Sequence, residues 1–207
     1  MIEIIRAGGW LMLPIILCSI IAVAITIERV WTLQRRRVLP KDLATRVWEW
    51  ARDRQLDQKH LDILAANSPM GQVLAAGLAS RGQARDVLKE KVQDTGRHVV
   101  HELERYLNTL GTIAAVTPLL GLLGTVIGMV KVFTAITTAG VGNPGVLAGG
   151  ISEALITTAA GLSVAIPSLI AYRYLRGRVD ALVVEIEKEA MKLIDALHRS
   201  GQREGAA

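Results

Sequence analysis

The sequence predicts an all-α integral membrane protein with three transmembrane helices and long helical cytoplasmic extensions. Three observations carry that prediction. Hydrophobic residues make up 51% of the chain but aromatic ones only 4%, so the apolar content is Leu, Ile, Val, Ala and Gly, as in helices that face lipid. Three stretches with at most one charge each reach the roughly 20 apolar residues that a bilayer span requires. The charges cluster between and after those stretches.

Residues 1–9 read as a short exterior N-terminus and residues 10–30 as the first span, whose uncharged part, Trp10 to Ile27, is bounded by Arg6 and Glu28. Ala22-Val23-Ala24 has the small-x-small spacing of a cleavage site. The apolar run nevertheless continues into Glu28-Arg29 and Arg35-Arg36-Arg37, and the only cation before it is Arg6, so a retained anchor is expected. Cys18 lies inside this run as the single cysteine, which excludes an intrachain disulfide framework.

Residues 31–106 read as a helical cytoplasmic region. Pro40 to Arg54 is amphipathic. Asn67-Ser68-Pro69 is a helix start, with Ser68 as N-cap and Pro69 in the first turn, leading into Met70 to Ser80. From Ala84 no breaker intervenes before the second span, and Val92, Val99, Leu103 and Leu107 continue one apolar stripe. One helix from Ala84 to Val130, about 70 Å long at about 1.5 Å per residue, is expected.

The second span is assigned to residues 107–135, uncharged from Leu107 to Val130 and bounded by Arg105 and Lys131. Residues 136–147 form an exterior turn centred on the Gly- and Pro-rich stretch from Thr138 to Gly145. The third span, residues 148–172, ends at Arg173 and contains a single charge, Glu153. In residues 173–207, Val179, Leu182, Ile186, Ala190, Leu193 and Leu197 alternate three and four apart, so the helix continues past the span and buries a seam. It is expected to pack on the helix that begins at Ala84.

Lysine and arginine placement sets the direction of the spans. Fifteen lie between Arg29 and Arg105 and seven from Arg173 onward, against Arg6 alone before the first span and Lys131 alone in the exterior connection. The N-terminus is therefore expected outside and the C-terminus in the cytoplasm. The same asymmetry accounts for the net charge of +5, so no nucleic-acid partner is expected.

Glu153 is the sharpest chemical feature. A charged carboxylate within a span costs about 2.5–3.5 kcal/mol on insertion scales, which points to a proton or ion path facing a protein interior. The alternative is that Glu153, about 7.5 Å into the span, reaches the interface. Thr157 lies one helical turn further on the same face, and Thr158 just round the helix. Thr125 of the second span sits at matching depth on an antiparallel helix. Together Glu153, Thr125, Thr157 and Thr158 can line one polar track; each threonine can instead bond back to its own helix carbonyl.

Gly121, Gly124 and Gly128 of the second span and Gly149, Gly150 and Gly161 of the third form small-residue faces suited to close helix packing. Pro118 and Pro167 are candidate kinks. His98 and His101 read as a solvated face. No metal ligand set, phosphate-binding loop or catalytic pair within the spans is present in the sequence, so neither a metal, a cofactor nor an enzymatic activity is expected.

Two stretches, Thr117–Met129 (TPLLGLLGTVIGM) and Gly149–Pro167 (GGISEALITTAAGLSVAIP), closely resemble the MotA/TolQ/ExbB proton channel family, and the likeness extends over essentially the whole chain. It implies an ExbB- or TolQ-like subunit of the bacterial inner membrane, forming a homo-pentamer around the single transmembrane helices of two ExbD- or TolR-like partners. A membrane aspartate of the partner would carry the proton, and a TonB- or TolA-like protein would receive the work. The family's pore-lining threonine matches Thr125, its third-span carboxylate Glu153 and the following threonine Thr158; Thr157 is added from helix geometry. Three spans and the presence of Glu153 set the chain apart from flagellar stator subunits. The expected function is a proton-driven motor subunit; the alternatives are a non-conducting membrane scaffold and a sodium-driven device.

Overall fold

The computed structural model describes residues 8–40, 43, 57–139 and 144–204. Arg6, most of the Pro40 to Arg54 segment and the middle of the exterior turn lie outside the described residues. All regular structure among the described residues is helical: α1 (Met12–Thr32), α2 (Arg35–Val38), α3 (Gln58–Asn67), α4 (Pro69–Ala79), α5 (Arg85–Leu103), α6 (Leu107–Ala139) and α7 (Pro144–Glu204). Three of these, α1, α6 and α7, are long and apolar enough to cross a membrane. The chain divides into two compact units, one made of residues up to Arg29 with Tyr106–Tyr174, the other of Val30–Arg105 with residues from Leu175 onward.

The first unit packs α1, α6 and the first part of α7. Helix α1 buries Met12, Ile15, Ala22 and Arg29, a spacing that keeps one side of the helix inward. Its other side leaves Leu13, Leu17, Ile20 and Ile27 exposed, as a lipid-facing surface would. Helix α6 buries Leu110, Thr117, Gly121, Gly124, Gly128 and Val132 along one stripe, while Leu119, Leu122, Val126 and Val130 face outward.

Pro118 and Pro167 both sit inside continuous helix. Each lacks an N–H, which leaves the carbonyl four residues earlier without its helical donor. Beside each proline a hydroxyl bonds the neighbouring carbonyl: Thr117 Oγ1 donates to Ile113 O at 2.6 Å, and Ser168 Oγ to Val164 O at 2.7 Å.

The single helix expected from Ala84 to Val130 is in fact two. Helix α5 ends at Leu103 and α6 begins at Leu107. The break is made by Tyr106, whose φ of 63° is left-handed. Such a conformation costs a non-glycine residue on the order of 1–3 kcal/mol. The Arg29 guanidinium lies 5.4 Å from the centre of the Tyr106 ring, a cation–π contact that offsets part of this. Arg29 is itself buried and is held by both carboxylate oxygens of Glu28, at 2.6 and 3.1 Å. Beyond the break, Tyr106 O accepts the first bond of α6 from Leu110 N at 3.0 Å.

In the second unit, Ser68 caps α4 as its sequence signature predicts: Oγ accepts from Gly71 N at 3.1 Å, with Pro69 in the first turn. Helix α4 is buried along most of its length, through Met70, Val73, Leu74 and Leu78. Helix α5 buries Leu88, Val92 and Val99. The expected seam of α7 is present, with Val179, Leu182, Ile186, Ala190 and Leu193 buried and Leu197 half-buried. The three helices meet at Gly77, where an added Cβ would stand 3.0 Å from Leu193 and 3.4 Å from Val92. Two ion pairs, Arg35–Glu185 at 2.7 Å and Arg85–Asp195 at 2.9 Å, lie on the rim. Exposed as they are, each contributes only about 0–1 kcal/mol.

Candidate functional site

The candidate site lies where the C-terminal half of α6 meets the first turns of α7, and the glycines create it. Gly121, Gly124 and Gly128 recur three and four apart, so they share one face of α6. An added Cβ at Gly121 would meet the backbone of Thr157 and Thr158 at 3.1–3.3 Å, and at Gly124 the Thr157 side chain at 2.5 Å. At Gly128 it would stand 2.8 Å from Ala154 Cβ and 2.9 Å from Gly150 O. On α7, a Cβ at Gly161 would come within 2.8 Å of Thr117 O and 3.1 Å of Gly121 Cα. The two helices therefore approach backbone to backbone, which only residues this small allow.

Lys131 follows Gly128 by three residues and lies on that same face. Its ammonium consequently reaches α7, where Nζ donates to Glu153 Oε1 at 2.6 Å. The Glu153 side chain keeps 23% of its surface exposed and that of Lys131 52%. No other residue between Arg105 and Arg173 is charged, so the only two charges in that stretch are bonded to each other.

The third wall comes from the turn before α1. Gly9 has φ of +68°, and a Cβ there would collide with Glu153 Oε1. Glycine is required on both counts: the backbone is left-handed and the carboxylate occupies the side-chain position. Gly8 continues the contact, because its carbonyl lies 3.0 Å from Thr157 Oγ1. The same hydroxyl lies 2.7 Å from Glu153 O, so its one proton is shared between two carbonyls at a residue only 1% exposed.

Thr158 Oγ1 donates across the helix contact to Gly121 O at 2.9 Å. Thr125 follows Gly121 by four residues and precedes Gly128 by three, so it flanks the glycine face of α6. It is half-buried, and its hydroxyl donates to Leu122 O of its own helix at 2.6 Å. The structure thus brings Glu153 and Thr157 together with Lys131, Gly8 and Gly9, and ties Thr158 to Gly121, one helical turn before Thr125 on α6. His98 and His101 are exposed on α5. Among the described residues no group of three His, Cys, Asp or Glu side chains converges on a point.

Sequence reasoning missed three members of this site. Lys131 bounds the uncharged run of the second span, and its spacing from Gly128 also puts it on the packing face. Gly8 and Gly9 carry a turn signal as a Gly-Gly pair, but their contact with a residue far along the chain has no local signature.

Residues 65–188, more than half of the chain, match the family model described as the MotA/TolQ/ExbB proton channel family. The matched stretch contains Thr125, Lys131, Glu153, Thr157 and Thr158; Gly8 and Gly9 precede it. The chain is 33% identical over 171 residues to ExbB-like protein 1 of Synechocystis sp., a biopolymer transport protein by name, covering 81% of this chain and 67% of that one. It is 31% identical over 186 residues to ExbB-like protein 3 of the same organism, covering 86% and 88%. Against the Tol-Pal system protein TolQ of Haemophilus influenzae the identity is 39% over 100 residues, 48% of this chain and 44% of that one.

Proposed function

Because the chain belongs to the MotA/TolQ/ExbB proton channel family, we propose that it is the channel-forming subunit of an inner-membrane complex that turns proton motive force into work on a periplasm-spanning partner. The observation that carries this reading is Glu153, a carboxylate seated between two spans and paired with the only other charge in either. An ionisable group held at such a place is functional by default, since lipid-facing sequence gains nothing from it.

In this reading the N-terminus is periplasmic and the C-terminus cytoplasmic, as the lysine and arginine asymmetry favours. Several copies, five by family likeness, surround the single transmembrane helix of an ExbD- or TolR-like subunit, and a TonB- or TolA-like protein receives the motion. The outward apolar faces of α6 and α7, with Leu119, Leu122, Leu155 and Ile166 exposed, supply surface for neighbouring copies and for lipid. Thr125, half-buried at the flank of the glycine face, lines the path with Glu153, Thr157 and Thr158. Protonation and release at Glu153 are coupled to a carboxylate on the partner. Each charge that crosses a potential of 100 mV releases about 2.3 kcal/mol, enough to bias a conformational step.

The test is Glu153→Gln in the complete complex, purified with its co-expressed membrane partner and reconstituted in liposomes. Proton uptake under an imposed potential should be abolished while the partner still co-purifies. Wild-type uptake by E153Q would reject the assignment.

A further inference from the structure

We propose that Lys131 determines which ion the site accepts: its ammonium, seated on Glu153 Oε1, keeps metal cations such as sodium out and leaves the carboxylate open to protons alone. The inference deepens the channel reading above and rests on it.

Three features lead there. First, Lys131 and Glu153 are the sole charges between Arg105 and Arg173 and they are bonded at 2.6 Å, so the site carries no net charge with which to draw in a second cation. Second, Oε1 lies where a side chain on residue 9 would stand, so the Gly9 backbone crowds one side of that oxygen. With the Lys131 ammonium on the same oxygen, less of it is left for a metal ion. Third, the nearby hydroxyls already donate to backbone carbonyls, Thr157 to Gly8 O and Glu153 O and Thr158 to Gly121 O. Each of those carbonyls therefore already has a lone pair engaged, which leaves less of it for a metal.

A sodium ion needs several oxygen ligands at once and would have to sit within a few ångströms of the ammonium, where like charges repel. A proton needs one lone pair. It adds to a Glu153 carboxylate oxygen, gives the neutral acid, and leaves again as a proton. Neutralising Glu153 also removes the attraction that holds Lys131, whose flexible four-carbon stem and half-exposed position allow it to swing away and return. A lysine that served only to balance a buried charge would support folding without governing the choice between ions.

The experiment uses the full complex in liposomes under an imposed potential, with proton uptake read by an internal pH dye and sodium uptake by radioactive sodium. In Lys131→Gln the ratio of sodium to proton uptake should rise at least about tenfold, the effect of removing one like charge near the entering cation in a partly wet site. Lys131→Arg, which keeps the charge, should hold the wild-type ratio. If K131Q does not assemble, Lys131→Met keeps the apolar stem and carries the same expectation. An unchanged ratio in K131Q with proton uptake intact overturns the role of Lys131 and leaves the channel reading standing. An increase in K131R equal to that in K131Q overturns it as well, since charge would not be the cause. A wild-type complex that takes up neither ion, with E153Q no different, overturns the channel reading and this inference together.

Discussion

Replacing Gly161 with alanine isolates the energetics of the contact on which the site is built. A Cβ at this position would stand 2.8 Å from Thr117 O, 3.1 Å from Gly121 Cα and 3.3 Å from Gly121 N, whereas ordinary contact begins at 3.4 Å. Every neighbour is backbone, so no rotamer change relieves the clash. Helices α6 and α7 must separate by about 0.6 Å, and a gap of that size forfeits roughly a quarter to a half of the dispersion attraction across a contact. Overpacking of this kind typically costs about 1–3 kcal/mol. The lost attraction at Gly121, Gly124 and Gly128 adds to it, while the better helix propensity of alanine returns about 1 kcal/mol. A net loss of about 2 kcal/mol is expected.

Gly149 provides the control, because a Cβ there meets nothing within 4 Å. Gly149→Ala should gain up to about 1 kcal/mol from propensity alone. The measurement is the midpoint of SDS-driven unfolding in mixed detergent micelles, followed by circular dichroism for wild type, G161A and G149A. Equal stability of G161A and wild type, or a greater loss in G149A than in G161A, would refute the close backbone packing of these helices.

Two further outcomes follow from the rest of the fold. Leu182 is buried in the seam of α7, and Leu182→Ala should destabilise the second unit by about 2–5 kcal/mol, visible as a lowered thermal midpoint; an unchanged midpoint would argue against that seam. At Tyr106, with φ of 63°, the usual order of helix formers should invert, Tyr106→Gly being more stable than Tyr106→Ala by about 1 kcal/mol. An alanine variant as stable as the glycine variant would show that the left-handed turn is not required.

The parts of this structure that were legible in the sequence are those set by local chemistry. Uncharged runs long enough to span a bilayer announced α1, α6 and α7. The pairing of Ser68 with Pro69 announced the start of α4, and the seam from Val179 to Leu193 announced that α7 continues past Arg173. The break at Tyr106 was hidden because it uses neither glycine nor proline. It is a tyrosine held left-handed by its surroundings, with Arg29 over its ring, and those surroundings come from α1. In the site, residue spacing sets depth and face along α6. Thr125 and Glu153 lie at similar depth by counting residues, and Thr125, four residues after Gly121, flanks the glycine face. Lys131 occupies that face. Gly9 meets Glu153 only because the approach to α1 folds back over α7, which no local pattern encodes.

The glycine contact between α6 and α7 has one more consequence, in entropy. Where these helices are closest, Gly121, Gly124, Gly128, Gly150, Ala154 and Gly161 have no rotamers to freeze. Their association therefore carries little side-chain entropy cost. The side chains that could switch rotamer there are few, Val132, Thr157 and Thr158, and both threonines are hydrogen-bonded. The two spans consequently behave as one stiff body over the turns on which Thr125 and Glu153 are mounted. Rearrangement around this pair, at Lys131, at the Gly8–Gly9 turn and at the outward faces, meets less resistance than rearrangement between the pair's own helices.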